Sequence, residues 1–316
     1  MGLVVPHRVV FLGTPEFAVP SLASLLEAGH DIVEVVTQPD RPKGRKHELT
    51  QSPVKNFALL RGLHVFQPER ARRAEVAERL RALKPDLMVV VGYGQILPQS
   101  IIDIAPLGII NVHASLLPKL RGAAPIQWAL ANGERKTGVT TMQIDAGLDT
   151  GDMLLHKETP IEPEDDAVSL SERLSHLGAA LLIETVARLS EITPRKQNAA
   201  EATLAPILKK EDGRIDWSRT AHQIGNQIRG LVPWPGAHTT FRGQLLHIWK
   251  AQAVFESQTL MPGTLRAGHV AHVACGQGTA LRAVELQVEG RKRVSGEAFM
   301  NGIHLHENEI LGAVHN

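Results

Sequence analysis

Residues 7–37 read HRVVFLGTPEFAVPSLASLLEAGHDIVEVVT, and the architecture follows from them. His7 to Gly13 is a nearly unbroken apolar run that stops at glycine, the pattern of a strand covered on both faces. Pro15 to Gly29 reads as a helix, with proline near its start and glycine past its end. Asp31 to Thr37 is a second strand. The alternation continues with a helix over Ser52–Arg61, a short strand over Leu63–Phe66 and an amphipathic helix over Arg72–Leu83. The most apolar strand, Leu87–Val91, follows, then a strand over Gly108–His113 and a helix over Pro125–Asn132. Strands separated by helices predict an α/β domain whose mostly parallel sheet carries helices on both faces.

The pattern changes at Thr137–Ile161, which reads as two strand-like pieces around the turn-rich segment Asp145–Gly151. A long helix follows over about Val168–Leu189. Thr193–Pro206 is rich in Pro, Ala and Asn with little periodicity and reads as a linker. Beyond it come a helix near His222–Arg229 and strands at Leu245–Ala253, Val270–Cys275, Ala280–Gln287 and Ser295–Phe299, a small β-barrel or sandwich. The expected division is therefore 1–192, a linker at 193–206, and 207–316.

Composition bounds the function classes. With 316 residues, 43% apolar and 21% charged, the chain has ample core-forming material. A net charge of +1 gives no whole-chain basicity for nucleic acid, although residues 206–316 are slightly basic and the rest slightly acidic. A single cysteine, Cys275, forms no internal disulfide and fits a reducing compartment. No segment is apolar for the length a bilayer needs, and Met1–Arg8 has no leader-like pattern, so a cytoplasmic protein without membrane contact is expected.

The turn after the first strand, Gly13-Thr-Pro-Glu-Phe17, lacks the second and third glycines of a dinucleotide-binding turn, and Glu16 would repel a pyrophosphate. Asn111 and His113 are more informative. They stand two apart on one strand, so their side chains share a face, and they lie at its C-terminal end, where open α/β sheets place their ligand crevice. Two polar groups on an apolar strand cost stability unless hydrogen-bonded. A loop with two prolines and a glycine, Ser115–Pro125, continues from them, and Asp149 stands in a Gly-Leu-Asp-Thr-Gly turn. An Asn, a His and an Asp supply an oxyanion donor, a proton-transfer group and an orienting carboxylate. No Ser or Cys sits in a nucleophile-elbow context, which favours direct transfer between two bound substrates.

With these residues the chain resembles the folate-dependent formyltransferases. Asn111-Val-His113, the Ser115–Pro118 loop and Asp149 in Leu-Asp-Thr-Gly-Asp carry the likeness. It extends over nearly the whole chain through Phe11–Ala18, Gln38–Pro42, Arg121–Gln127, Gly147–Met153, Gly213–Trp217 and Pro233–Ala237. Within the family it is most similar to the branch that formylates initiator methionyl-tRNA. The resemblance implies a Rossmann-like N-terminal domain, a C-terminal barrel of oligonucleotide-binding (OB) type that binds tRNA, and 10-formyltetrahydrofolate as formyl donor. It implies Asn111, His113 and Asp149 as the catalytic trio. Ser115, Leu116, Leu117 and Pro118 would bind tetrahydrofolate, and the backbone of Leu87–Tyr93, with Val90, Gly92 and Tyr93, would hold the pterin. No metal is implied, and a monomer is expected.

Pro39–His47 carries Arg41, Lys43, Arg45 and Lys46. On composition this is a solvated loop; under the resemblance it is the basic loop that grips the tRNA acceptor end. Glu48 and Leu120 depart from the family pattern, which usually has a lysine and an aromatic there. His269, His272 and Cys275 have metal-like spacing, but residues three apart on a strand face opposite sides. His304 and His306 with Glu307 and Glu309 read as exposed surface. Two other readings remain: a nucleotide-sugar N-formyltransferase, and a catalytically silent tRNA-binding protein of the same fold.

Overall fold

The computed structural model describes residues 6–43, 48–254, 259–305 and 307–312. They divide into two compact units, 6–125 with 136–160 and 171–206, and 126–135 with 161–170 and 207–312.

The first unit is built on β1 (Arg8–Gly13), α1 (Val19–Glu27), β2 (Asp31–Val36), β3 (Arg41–Lys43), β4 (Glu48–Thr50), α2 (Pro53–Leu60), β5 (Val65–Phe66), α3 (Ala74–Ala82), β6 (Leu87–Val91), α4 (Gln99–Ile102), β7 (Ile109–His113), α5 (Pro125–Ala131), β8 (Lys136–Gln143), β9 (Met153–Pro160) and α6 (Ala167–Ala187), of which α5 and the start of α6 group with the second unit. Its sheet runs β5-β2-β1-β6-β7-β8-β9. The first five strands are parallel and β8 and β9 antiparallel, so the mostly parallel sheet read from the sequence is present. Every residue of β6 and β7 is buried, and β6 is the unbroken apolar run that such burial requires.

Strand order reverses between β1 and β6, which opens a crevice at their carboxyl ends. Gly13 ends β1 there because there is no room for more. A Cβ on it would lie 2.7 Å from Phe11 Cε1, 3.0 Å from Ala18 Cβ and 3.1 Å from the Val91 carbonyl. α1 starts at Val19 rather than Pro15, after a short 3-10 turn at Glu16–Ala18. α2 is capped by Ser52, whose hydroxyl accepts from Lys55 N at 3.0 Å.

The expected loop over 39–47 has a stem: β3 and β4 pair antiparallel from Arg41↔Thr50 to Lys43↔Glu48. The stretch 193–206, expected as a linker, is laid against the first unit. Met153 and Arg195 exchange backbone hydrogen bonds, Arg121 N–H donates to Thr203 O at 2.9 Å, and Ala205 N–H donates to Arg121 O at 2.7 Å.

The second unit follows with α7 (Ala221–Gly230), β10 (Ala237–Phe241), β11 (Gln244–Val254), β12 (Thr264–Leu265), β13 (His272–Ala274), β14 (Ala280–Val288), β15 (Val294–Ser295), α8 (Gly296–Ile303) and β16 (Glu309–Ile310). Arg229 at the end of α7 donates to the carbonyls of Glu162 and Asp165, and Gly230 lets α7 approach Gln127 and Ala131, which groups both excursions from the first half with this unit. The sheet runs β10-β11-β14-β13-β12-β16, with β15 on β14. It curls into a half-barrel whose ends meet where Gly312 N–H donates to Thr240 O at 2.8 Å and Arg242 pairs with Glu309. Ile224, Ile228, Phe241, Leu246, Leu281 and Phe299 fill it, and Trp217 Nε1–H donates to Thr239 Oγ1 at 3.2 Å inside.

The expected strand over Ser295–Phe299 is instead the start of α8. Ser295 is the last strand residue and its hydroxyl caps the helix, accepting from Ala298 N at 3.1 Å. Phe299, Met300 and Ile303, at helical spacing, then pack into the core. Ser295→Ala is expected to lower stability by about 1 kcal/mol, read as a lower urea midpoint at constant slope. An unchanged midpoint would mean the cap contributes nothing.

Candidate active site

β7 delivers Asn111 and His113 to the crevice on one face, 8% and 6% exposed. Neighbouring strands hold them in register, with Val90↔Asn111 on one side and Asn111↔Met142 and His113↔Thr140 on the other. The loop after β7 is rigid. Ser115 Oγ donates to Lys119 O at 2.6 Å, Thr140 Oγ1 donates to Ser115 O at 2.7 Å, and Leu117 N–H donates to Thr140 Oγ1 at 3.2 Å. Leu117–Pro118 is a cis peptide, and Leu120 takes a left-handed backbone, φ 58°.

That loop geometry turns the Leu120 carbonyl onto His113, with Nε2 3.0 Å from Leu120 O. A carbonyl only accepts, so Nε2 carries a proton and donates it. Nδ1 is the ring nitrogen left to exchange one, and it faces Asp149 Oδ2 at 3.7 Å. Asp149, at φ 51°, is also left-handed. Its Oδ2 accepts from Gly122 N–H at 2.8 Å. Gly122 has φ 122°, and a Cβ on it would lie 2.6 Å from Ala205 O, so this donor depends on glycine. Asp145 braces the turn below, accepting from Gly147 N–H at 3.0 Å and Thr150 Oγ1 at 2.7 Å. Among the described residues the Asn111 amide has no hydrogen-bond partner, and it remains available at the crevice.

The trio read from the sequence is thus brought together: Asn111 and His113 on one strand, and Asp149 against His113. The other expected site residues fare differently. Ser115 is fully buried and its hydroxyl is committed to the loop's own backbone; Leu117 is buried and Leu116 half-buried. Val90 and Tyr93 are buried, whereas Gly92, with φ 58°, is open. The Tyr93 ring sits in the core, where burial pushes its phenol to about 12. Its carbonyl accepts from Thr14 Oγ1 at 3.2 Å and Gln38 Nε2 at 3.0 Å.

Arg41 lies on β3 and pairs with Glu69 at 3.1 Å. Lys43 is at the end of the same strand; Arg45 and Lys46 lie outside the described residues, as does His306. The root of this hairpin is anchored at Asp40, which accepts from Lys55 Nζ at 2.6 Å and Gln67 Nε2 at 2.8 Å. Those two hydrogen bonds, that of Lys55 first, hold the Asp40 carboxyl below the usual carboxylate range. Cys275 is buried in the second unit's core, its thiol against Val273 O and pushed by burial to about 12, which removes it from any surface cluster with His269 and His272.

Three features of the site were not read from the sequence: the Leu120 carbonyl, the Gly122 N–H and the side chain of Gln197. The first two are backbone groups made available by left-handed turns. The third lies in the stretch taken for a linker, 48 residues from Asp149.

Comparison with known proteins places this geometry in a family. Residues 7–186 match the Formyl transferase model and residues 207–304 the model of its C-terminal domain. The chain is 58% identical to the methionyl-tRNA formyltransferase of Solibacter usitatus, over 98% of this chain and 99% of that one. It is 49% identical to the methionyl-tRNA formyltransferase of Bacillus subtilis, over 96% and 98%. Among solved structures, the N-formyltransferase of Helicobacter canadensis in complex with folinic acid and dTDP-3-aminofucose shares the fold, with TM-score 0.66 at 20% identity over 87% of this chain and 98% of that one. HypX of Aquifex aeolicus in complex with tetrahydrofolic acid does so with TM-score 0.63 at 16% identity, over 96% of this chain and 48% of that one. The chain belongs to the formyl transferase family, and within it to the methionyl-tRNA formyltransferases.

Proposed function

We propose that this chain transfers the formyl group of 10-formyltetrahydrofolate to the amino group of initiator methionyl-tRNA, in the cytoplasm, for translation initiation. The names of its relatives at 49–58% identity support methionyl-tRNA as the acceptor, and folate-bound structures of the same fold support the donor. The observation that carries the reaction type is the pairing of an uncommitted Asn111 amide with a His113 ring tied through Nε2 to Leu120 O and facing Asp149 through Nδ1. The amine attacks the formyl carbon, a C–N bond forms, and the carbonyl electrons move onto oxygen. The Asn111 N–H groups donate to that oxyanion. The attacking nitrogen sheds a proton into the His113 Nδ1–Asp149 pair, a positive imidazolium there adding to the field on the oxyanion. The C–O double bond then re-forms, the bond to N10 of the folate breaks, and the leaving nitrogen takes up the proton. No covalent acyl-enzyme is needed.

The residues named for folate fit as a shaped wall: a rigid Ser115–Pro118 turn and the open backbone at Gly92. Arg41, Lys43, Arg45 and Lys46 are assigned to the tRNA acceptor end, and 207–316 to tRNA binding. Arg41→Ala with Arg45→Ala is expected to weaken tRNA use and to flatten the slope of log affinity against log salt by about 1 to 2. KM for the folate donor should not change. An unaltered slope would remove the loop from the tRNA contact. The function itself is tested by offering methionyl-tRNA and a dTDP-amino sugar side by side with 10-formyltetrahydrofolate. Formyl-methionyl-tRNA as product is expected; formylation of the sugar alone, or of neither, would overturn the reading.

A further inference from the structure

We infer that Gln197 is a positioning residue that holds the Asp149 carboxylate on His113, acting through the backbone of the Asp149–Gly151 turn; this rests on the function proposed above. Its amide is fully committed. Nε2 donates to Asp149 O and to Gly151 O, both at 2.8 Å. Oε1 accepts from Arg121 Nε at 3.0 Å and Arg121 Nη2 at 2.7 Å. The two ends cannot be exchanged, because that would set an amide NH2 against a guanidinium and an amide oxygen against two carbonyls.

Gln197 therefore ties together the two turns that build the site. Arg121 lies between Leu120, whose carbonyl holds His113 Nε2, and Gly122, whose N–H holds Asp149 Oδ2. Asp149 and Leu120 both adopt left-handed backbones that a non-glycine residue keeps only when its surroundings over-determine them. The chain on either side of Gln197 is fastened as well, at Arg195 to Met153 and at Thr203 to Leu120 and Arg121. The 195–205 stretch is thus a strap across both turns, and Gln197 is its side-chain contact to the carbonyls flanking the catalytic carboxylate. Without its two N–H groups the Asp149 turn keeps the Gly122 bond but loses the restraint on its backbone. The 3.7 Å approach to His113 then loosens.

Gln197→Met removes both donors and the acceptor at nearly constant volume. Gln197→Glu keeps the grip on Arg121 but sets a carboxylate oxygen against the two carbonyls. Both are expected to lower kcat on the order of a hundredfold, the scale of a small misplacement of a reacting group. KM for the folate donor and for methionyl-tRNA should stay within about twofold. In Gln197→Glu the charged pair with Arg121 offsets the lost donors, so it should melt near the parent temperature and its loss of turnover not follow a loss of stability.

In an Asp149→Asn background, Gln197→Met should have almost no further effect on kcat, because the group it positions is gone. A crystal structure of Gln197→Met should find Asp149 displaced from His113. Retained kcat in both variants, a rise in KM alone, an equal loss in the Asp149→Asn background, or an unmoved Asp149 would each overturn the inference. A parent inactive with methionyl-tRNA would overturn the proposed function, and the crystallographic comparison would still decide the positioning role.

Discussion

Asp149→Asn is expected to cut formyl transfer by about a hundred- to ten-thousandfold, the range for loss of a positioned acid–base group, while the protein stays folded. The side-chain oxygen of an asparagine can still accept the Gly122 N–H that Asp149 Oδ2 accepts at 2.8 Å, so the turn survives. That same oxygen position also faces His113 Nδ1, so a neutral amide oxygen takes the place of the carboxylate there. Because His113 Nε2–H is committed to Leu120 O, Nδ1 is the ring nitrogen left to take a proton, and a neutral amide gives the resulting imidazolium no countercharge. The amide cannot take the proton shed by the attacking amine, and His113 without its carboxylate takes it less readily. Asp149→Ala should fall in the same range but with a lower melting temperature, because the Gly122 N–H loses its acceptor. Steady-state kcat with thermal melting of the same preparations checks both. An Asp149→Asn protein that keeps a tenth or more of parental turnover would take the carboxylate out of proton transfer.

How far the sequence discloses this molecule depends on where each interaction is written. β1, β6 and β7 are legible because both faces of their sheet are covered, which forces near-continuous apolar runs. β10 is not. Its inward positions are Ala237, Thr239 and Phe241, and the central one is polar, satisfied from outside the strand by Trp217 Nε1. α8 is misread as a strand because Ser295–Phe299 is too short a window to reveal the helical spacing that Met300 and Ile303 complete. In the site, Asn111 and His113 stand out because a period of two puts two polar groups on one face of a buried strand. The Leu120 carbonyl and Gly122 N–H leave no such mark, since backbone groups have no residue identity and only the fold aims them. Gln197 is hidden for a different reason. It sits in an irregular stretch whose order comes from long-range hydrogen bonds to Met153, Leu120 and Arg121, and composition there suggests slack chain.

Asn111 carries an expected result in which stability and activity move in opposite directions. Asn111 as a residue is 8% exposed on a strand of buried residues, and its amide has no hydrogen-bond partner among the described residues. The amide makes no hydrogen bond within the fold that a substitution would remove, so Asn111→Ala should leave the melting temperature unchanged or raise it. Turnover should fall by a hundredfold or more, on the order of 3 kcal/mol, the usual cost of removing one donor to a developing oxyanion. Because that hydrogen bond strengthens as charge accumulates on the formyl oxygen, the loss should lie in kcat rather than in KM for either substrate. Asn111→Asp makes the sharper comparison. The side chain is nearly isosteric, but it replaces a donor by a negative charge at the position where the oxyanion forms, and its turnover should drop below that of Asn111→Ala. If Asn111→Ala instead lowered the melting temperature and kept its turnover, the residue would be a structural part of the strand. The oxyanion would then have to be stabilised by His113 alone.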